Sequence, residues 1–449
     1  MRFEEFKEAV TAAAKQRGLT DYELYYSSSE STEVEAFMHE INSFSSSVEG
    51  GACFRCIVDG KMGYASTEDL SAEEAEGIVL RAAENAAVLE TAEQEFLSEG
   101  GKTYQKVNTE PCPLPETEEL VSRALKGQDL LYAADELVTD GSATSTVTMK
   151  ENLAICNSRG LDLSHSVTGA GYIAVAVVKK GEEMNDSFEL KVGPFDKLDQ
   201  EALVNKAVHD AISKLGAEVA PTGNYPVIFE GKTMASLLMT FSGSFSAENA
   251  RKGLSRLQGK EGEKIASENV TILDDPFYPD NLLQMPFDAE GTPTYTKAVV
   301  DKGELKTLLY NLKTAAALGK ESTGNASKRS YDAPVEIRPF TLAIQAGDLT
   351  EEELLAKAGN GVYIDSLQGM HAGANPISGD FSLQSAGYLI EDGKKTRAVK
   401  AFTVAGNFFD VLKNITALSD EVKLGGFGAS ITSFASPAVL VEGLSIAGK

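Results

Sequence analysis

The segment LDLSHSVTGAGYIAVAVVKKG, residues 161–181, decides the architecture of the first half of the chain. Its centre, YIAVAVV at residues 172–178, is an unbroken apolar run that is typical of a buried β-strand and far too short to span a bilayer. Strand-like runs stand on either side of it at residues 142–158 and 183–193. Two segments with the Ala/Leu spacing of amphipathic helices enclose these strands: residues 116–135 and 199–216.

The same order of elements occurs once before, between residues 2 and 90. A helical pattern at residues 2–17 precedes strand-like runs up to residue 67, in which DGK at residues 59–61 is typical of a hairpin turn. A long helical pattern then begins near the hydroxyl and acidic residues of STEDLSAEE. The sequence therefore predicts an N-terminal α+β domain, residues 1–218, made of two similar helix–antiparallel strands–helix units that share a sheet.

Beyond residue 218 the pattern changes to short alternating segments separated by glycines. The tripeptides DKG at residues 301–303 and EDG at residues 391–393 are typical of antiparallel hairpins. Helical patterns are fewer, and they occur at residues 233–250, 308–319, 350–358 and 407–416. We therefore expect a β-rich C-terminal domain, residues 219–449, in which helices are inserted into a curved antiparallel sheet. The fold class predicted for the whole chain is α+β.

The composition limits the classes of partner. Hydrophobic residues make up 42% and charged residues 24% of the chain, which is the balance of a soluble globular protein. A formal net charge of -26 repels phosphate backbones and anionic membrane surfaces, so we expect neither direct nucleic-acid binding nor membrane binding. The first residues, MRFEEFKEAV, lack the apolar core of a signal peptide, which predicts a cytoplasmic protein.

The cysteines and most of the histidines are given structural interpretations. The four cysteines are too few for a disulfide framework, and they are Cys53, Cys56, Cys112 and Cys156. Cys53 and Cys56 lie in the strand-like segment GACFRCIVDG, where residues three apart point to opposite faces, so CFRC is not expected to bind zinc or act in redox chemistry. Three histidines are predicted to be structural or solvated: His39 and His165 in strands, and His209 on a helix.

The second half contains several long motifs that resemble one family. The segments are DDPFYPDNLLQMPFDAEGTPTYTKAVVDKGELKTLLYNLKTAAALGKESTGNAS, GANPISGDFSLQSAGYLIEDGK, VAGNFFDVLKNI and SPAVLVEGLSIAG. In content and order they resemble the TldD/PmbA family, which has also been called modulators of DNA gyrase. The resemblance is strongest over residues 225–447. The first half matches in the order of its predicted helices and strands more than in its residues.

The resemblance implies two branches with different chemistry. In the TldD branch a helix bears His-Glu-x-x-x-His, which binds zinc together with a later cysteine, and the Glu is the general base that assists attack on a peptide carbonyl. The TldE/PmbA branch lacks these residues and pairs with TldD, and SGDFS and AGN in this chain resemble that branch.

The zinc motif of the family falls on LLMTFSGS, residues 237–244. Its two His positions are Met239 and Ser244, which are a poor and a weak zinc ligand, and its Glu position is Thr240, which is no base near neutral pH. Residues five apart lie about 140° apart on a regular helix, so joint ligation needs an irregularity, which Gly243 would permit. No cysteine follows Cys156. We therefore expect no metal and no cofactor in this chain, with zinc in a TldD-type partner; a plain packing helix explains the same residues.

Two loops contain the candidates for substrate binding. His371, Asn375 and Asp380 lie in the Gly-rich segment QGMHAGANPISGDFS, and Asn325 lies in STGNAS. Loops with such side chains often bind ligands, although Asn-Pro and Ser-Gly also form simple turns. The paired acids of LDDP and FDAEG are interpreted as structural turns rather than as catalytic carboxylates.

The resemblance predicts a TldE/PmbA-like, non-catalytic subunit of a cytosolic TldD/TldE-type zinc metallopeptidase that degrades or processes unfolded peptides. Its partner would be a TldD-type subunit or a second copy of the same chain. Exposed strand edges suit the binding of extended peptides. Two alternatives remain: a homodimeric peptide-binding or scaffold protein that acts alone, and a peptide hydrolase with an unrecognised site near His371 and Asp380.

Overall fold

The computed structural model describes residues 1–90, 94–108, 112–427 and 432–449 of the chain. A six-stranded sheet dominates the N-terminal half, and an eleven-stranded sheet with a two-stranded companion dominates the C-terminal half. Among these residues no helix is both long and apolar enough to cross a membrane. The α+β fold class predicted from the sequence is confirmed.

The first unit of the N-terminal half is a helix, three strands and a second helix. Its elements are α1 (Phe3–Gln16), β1 (Tyr22–Phe37), β2 (Glu40–Val58), β3 (Lys61–Thr67) and α2 (Ala72–Val88). The hydroxyl of Ser71 accepts a hydrogen bond from the backbone N–H of Glu74 (3.2 Å) and so caps α2 at its first turn. The prediction that His39 lies within a strand is wrong. Met38 and His39 form the turn between β1 and β2, with φ angles of 51° and 61°, because a tight hairpin needs left-handed backbone there.

The second unit repeats this layout. Its elements are α3 (Thr117–Ala134), β4 (Ala143–Asn157), β5 (Asp162–Lys180), β6 (Glu183–Gly193), a turn of 3-10 helix (Phe195–Lys197) and α4 (Gln200–Ser213). His165 lies in β5 and His209 in α4, as predicted. The sheet order is β3-β2-β1-β4-β5-β6, and every neighbouring pair is antiparallel. The two units therefore share one sheet, whose centre is the pairing of β1 with β4.

The two faces of this sheet are covered by different parts of the chain. On one face Leu24 packs against α1 and α2, and Val34 packs against α3 and α4. On the other face Cys53 belongs to a cluster that contains Phe287 from the C-terminal half. Cys56 belongs to the helix-covered face, so the two cysteines of CFRC point to opposite sides, as their spacing predicts.

The C-terminal half contains thirteen strands and six helices in the part of the chain that the structure describes. The strands are β7 (Glu218–Val219), β8 (Gly223–Phe229), β9 (Ile272–Asp274), β10 (Lys297–Asp301), β11 (Glu304–Leu305), β12 (Ala326–Ser327), β13 (Glu336–Ile337), β14 (Thr341–Ile344), β15 (Gly361–Gln368), β16 (Asp380–Glu391), β17 (Lys394–Asn407), β18 (Ile415–Phe427) and β19 (Ser433–Ala447). The helices are α5 (Gly231–Phe241), α6 (Ala247–Arg251), α7 (Leu312–Leu318), α8 (Glu351–Ala358), α9 (Met370–Gly373) and α10 (Phe408–Lys413).

β19 is the strand with most neighbours in the large sheet: β14 and β8 pair along one of its edges, and β18 and β17 pair along the other. The path β19-β8-β15-β16-β17 returns to β19 and closes a ring of five strands. Three pairings are parallel: β14 with β19, β8 with β15, and β7 with β17. The hairpin signals in the sequence did not indicate them, because such signals report only local antiparallel connections.

α5 lies against β18 and β19 and points its apolar side into the large core. Leu237, Leu238 and Phe241 are fully buried there, and the ring of Phe241 stacks on Phe408 with centroids 4.7 Å apart. The single helix predicted over residues 233–250 is broken. A turn of 3-10 helix, Ser242–Phe245, follows α5, and Ser246 then caps α6 by accepting from the backbone N–H of Asn249 (3.4 Å).

Candidate functional site

A groove of about 710 Å³ runs along the end of α5. Met239, Ser242 and Gly243 form one wall together with residues of α6, and the start of α7 forms a second. The third wall is the extended segment of residues 334–339, which contains β13. This groove is the candidate site, because it adjoins the helix that the sequence singled out and is large enough for several residues of an extended peptide.

The three positions of the sequence motif do not converge on the groove. Met239 lines it. Thr240 instead donates its hydroxyl hydrogen bond to the carbonyl of Ser236 (2.8 Å), one turn earlier in α5, and its oxygen lies 3.1 Å from the Met370 sulphur. Ser244 is buried and donates to the carbonyl of Pro376 (3.4 Å). The local irregularity that Gly243 was expected to permit exists as the 3-10 turn, yet it directs the Ser244 hydroxyl into the protein.

These residues do not fit the zinc ion that the family implies. A thioether and a hydroxyl that is already hydrogen-bonded to a carbonyl are poor donors for zinc, and no cysteine follows Cys156 in the sequence. Thr240 cannot act as a general base near neutral pH. We therefore assign no metal-dependent step to this chain.

The loop that contains His371 packs behind α5 rather than in the groove. The Met370 sulphur of this loop contacts the Thr240 hydroxyl, and the Pro376 carbonyl accepts the hydrogen bond of Ser244. His371 lies on the short helix α9 and is exposed. The structure thus brings together two segments that the sequence proposed separately, the motif helix and the loop, although it places His371 outside the lining of the groove.

Asn375 and Asp380 have local partners within this loop. The Asn375 side-chain oxygen accepts hydrogen bonds from the backbone N–H groups of Ile377 (3.0 Å) and Ser378 (3.2 Å), which is the geometry of a turn. The Asp380 carboxylate accepts from the Asn407 amide (2.8 Å), and this bond holds the pKa of Asp380 below its usual range. Their proposed role in substrate binding stays a prediction.

Asn325, the fourth substrate-binding candidate, is fully buried. Its amide nitrogen donates to Asp274 (2.7 Å) and to the carbonyl of Arg338 (3.0 Å), and its oxygen accepts from the Thr323 hydroxyl (2.8 Å). Asp274 also forms an ion pair with Lys297 (2.9 Å). Both polar atoms of the Asn325 side chain are hydrogen-bonded within the protein, and its proposed role in substrate binding stays a prediction.

The paired acids of FDAEG lie at the contact between the two halves. Asp288 is buried and accepts backbone hydrogen bonds from Glu290 and Thr292 (both 2.9 Å), so this segment is a turn, in agreement with the structural interpretation. Burial raises the pKa of Glu290 to about 8, against the attraction of Arg55 in β2. Arg55 in turn forms a buried ion pair with Glu23 (2.6 Å). Sequence reasoning missed this cluster, because its members are far apart in the chain.

The charges that line the groove were also missed by sequence reasoning. Five basic side chains line it: Arg251, Lys252, Lys313, Arg329 and Arg338. Two acidic side chains, Glu248 and Glu336, line it as well. The only hint in the sequence is PVEIRP at residues 334–339, where prolines enclose an alternating pattern of an extended segment.

Comparison with known proteins defines the class to which this fold and site belong. Models of the PmbA/TldA metallopeptidases match three regions: domain 1 at residues 22–86, the central domain at residues 110–215 and the C-terminal domain at residues 222–448. A metalloprotease of Methanothermobacter thermautotrophicus is 30% identical and aligns over 72% of this chain and 71% of its own length.

Two solved structures share the architecture over almost the whole chain. One, from Thermotoga maritima, was solved as a candidate modulator of a DNA gyrase; it is 32% identical, covers 99% of this chain and 100% of its own, and has a TM-score of 0.89. The other is TldE from Thermococcus kodakarensis, at 26% identity, 98% and 99% coverage and a TM-score of 0.88. This chain belongs to the PmbA/TldD metallopeptidase family, which confirms the resemblance seen in the sequence.

Proposed function

We propose that this chain is the non-catalytic subunit of a cytoplasmic TldD/TldE-type zinc peptidase, in which it binds unfolded or short peptides while a TldD-type partner cleaves them. One observation carries the proposal. The end of α5 borders a groove of peptide size, yet Thr240, at the position of the base, donates to the carbonyl of Ser236 (2.8 Å), and Ser244, at the position of a zinc ligand, donates to that of Pro376 (3.4 Å). The likeness to a TldE chain supports the same branch.

The lining of the groove suits contact with an extended peptide. Met239 and Ile337 are partly exposed and offer apolar surface, and the side-chain amide of Asn249 lies among them. Such mixed surfaces bind peptide side chains through apolar contact and orient the backbone through a few polar groups. The partner would provide the zinc ion, the general base and the cysteine.

The test is reconstitution with a partner that bears His-Glu-x-x-x-His. We expect the purified chain to leave a panel of unfolded peptides intact, to co-purify with the partner, and to raise the peptide turnover of that partner. Turnover by the chain alone that is lost in His371→Ala would support a hydrolase instead. A stable homodimer that never exchanges with the partner would support the scaffold protein.

A further inference from the structure

Most charged side chains that line the groove are basic, whereas the chain as a whole is acidic. The protein as a whole has a formal net charge of -26, whereas five basic side chains and only two acidic ones line the groove. Glu248 is shared by Arg251 (2.9 Å) and Lys252 (3.1 Å), so that carboxylate faces two cations at once. Lys313 also pairs with Glu95 (2.8 Å), which does not line the groove. Among the lining side chains cations still outnumber carboxylates, and such an arrangement favours the approach of anions.

Two arginines on the β13 side of the groove share a single carboxylate oxygen. Arg329 Nε lies 3.2 Å from the Oε2 atom of Glu336, and Arg338 reaches the same atom with both Nε (3.0 Å) and Nη2 (2.9 Å). A guanidinium has five N–H donors in a planar arrangement. One carboxylate oxygen therefore engages only some of the donors of each arginine. The side chain of Arg329 is 59% exposed and that of Arg338 24%, so both remain accessible from the groove.

We infer that Arg329 and Arg338 form a carboxylate subsite in the groove, which holds the C-terminal carboxylate or an acidic side chain of a bound peptide. This inference rests on the proposed peptide-binding function of the groove and names the class of peptide that it favours. Carboxylates suit the site because two parallel N–H···O bonds match the fork of an arginine. Segment 334–339, which bears Arg338, is extended and would lie alongside the peptide.

The net negative charge of the chain favours a peptide over a nucleic acid as the bound anion. A nucleic acid gains affinity from many phosphate contacts spread over a large surface, and the charge of -26 opposes such spread binding. A peptide carboxylate needs a single short-range pair inside the groove, where the positive charge is concentrated.

The test compares three N-acetylated hexapeptides of Ala, Ser and Val by isothermal titration calorimetry on the full chain. The first ends in a free carboxylate, the second in an amide, and the third in an amide with one Glu at its centre. We expect the first, the third or both to bind about tenfold more tightly than the second, since a charge-assisted pair gains roughly that factor. If the first peptide binds more tightly than the second, the subsite holds a C-terminal carboxylate; if the third does, it holds an acidic side chain. Higher salt should shrink the difference.

Three variants assign the effect to the subsite. Arg329→Gln should reduce the affinity for the carboxylate peptide about tenfold and leave that for the amide peptide unchanged. Glu336→Gln removes the competing acid and should increase the affinity for the carboxylate peptide. The matched control is Arg397→Gln, because Arg397 is similarly exposed (55%) and pairs with Glu218 (3.0 Å) on β7, where it does not line the groove. This control should bind all three peptides as the parent chain does.

The outcomes separate the inference from the proposed function. Equal binding of all three peptides, or an Arg329→Gln variant that loses no affinity, would overturn the carboxylate subsite and leave peptide binding intact. No binding of any peptide, although the chain still raises the turnover of its partner, would overturn both the subsite and the peptide contact of this chain. Salt-dependent binding of single-stranded nucleic acid that Arg329→Gln abolishes would show that the groove recognises phosphate instead.

Discussion

The Asp274 cluster and the groove beside α5 use the same kinds of side chain for different purposes. In the Asp274 cluster, which comprises Asp274, Lys297 and Asn325, one carboxylate meets one ammonium (2.9 Å) and one amide (2.7 Å). Asp274 and Asn325 are fully buried. In the groove two arginines share one partly buried carboxylate, Glu336. Matched polar groups fix the fold, whereas surplus donors at an open surface remain available to a ligand.

The largest effect is expected from Lys297→Met, which leaves the Asp274 carboxylate buried without its cation. Breaking a buried pair in this way costs about 3–5 kcal/mol in the free energy of unfolding. Urea unfolding measures it, with Lys306→Met as the control, since Lys306 forms an exposed pair with Glu304 (2.8 Å) and should give no measurable change. Equal stability of the two variants would mean that the ion pair between Asp274 and Lys297 does not stabilise the fold.

A second effect is expected from Glu290→Gln, and it depends on pH. The pKa of Glu290 is raised from 4.5 to about 8 by burial, with Asp288 adding to the rise and Arg55 opposing it. Between these pH values the unfolded chain releases a proton that the folded chain keeps, so stability falls as pH increases from about 4.5 to about 8. Glutamine removes this dependence. Thermal unfolding at a series of pH values should show a flatter profile for the variant than for the parent.

The control for the pH profile is Glu268→Gln, because Glu268 is exposed and lies 3.9 Å from its nearest cation, Lys264. Its profile should run parallel to that of the parent chain. If Glu290→Gln also ran parallel, the carboxyl group of Glu290 would be ionised throughout this range, contrary to the burial argument.

A smaller effect on stability is expected from Arg329→Gln. Arg329 is largely exposed, and its one ion pair is at the surface, so the free energy of unfolding should change by less than about 0.5 kcal/mol. Urea unfolding alongside Lys297→Met checks this directly. A loss similar to that of Lys297→Met would show that the arginine pair supports the fold and would remove the contrast between the two regions.

The smallest effect is expected from His371→Ala. His371 is exposed and does not line the groove, so neither the stability nor the peptide affinity of the chain should change. Calorimetric titration with the same hexapeptides provides the measurement. A weaker affinity would extend the binding surface to the loop behind α5, as the sequence predicted.

Local signals predicted most of the fold. Periodicity gave the order of elements in both N-terminal units, and the strand spacing of Cys53 and Cys56 gave their opposite faces. The turn at His39 was missed, because the strand pattern on both sides hides a two-residue hairpin. The parallel pairings and the closed ring depend on contacts between distant segments, which periodicity does not report.

The candidate site was predicted only in part, because the sequence shows neighbouring residues but not contacts between distant segments. The motif positions on α5 lie close together in the sequence, so they could be identified without a structure. The break of the predicted helix at the 3-10 turn was not predicted, although Gly243 was recognised as a residue that would permit an irregularity. The Arg329 and Arg338 pair becomes visible only when the chain folds residues 326–338 against α5 and α6. The same holds for Arg55 and Glu290, which meet across the two halves of the molecule.

We propose that the end of α5 keeps the surroundings of a peptidase site without its metal-binding side chains. The test is the zinc content of the purified, tag-free chain. The chain is incubated with zinc and dialysed into zinc-free buffer, and the bound zinc is then measured by mass spectrometry. We expect far less than one zinc ion per chain, because Met239 and Ser244 are poor donors and the Ser244 hydroxyl is hydrogen-bonded to the Pro376 carbonyl. Stoichiometric zinc that survives dialysis would contradict it and would make the chain a metallopeptidase in its own right.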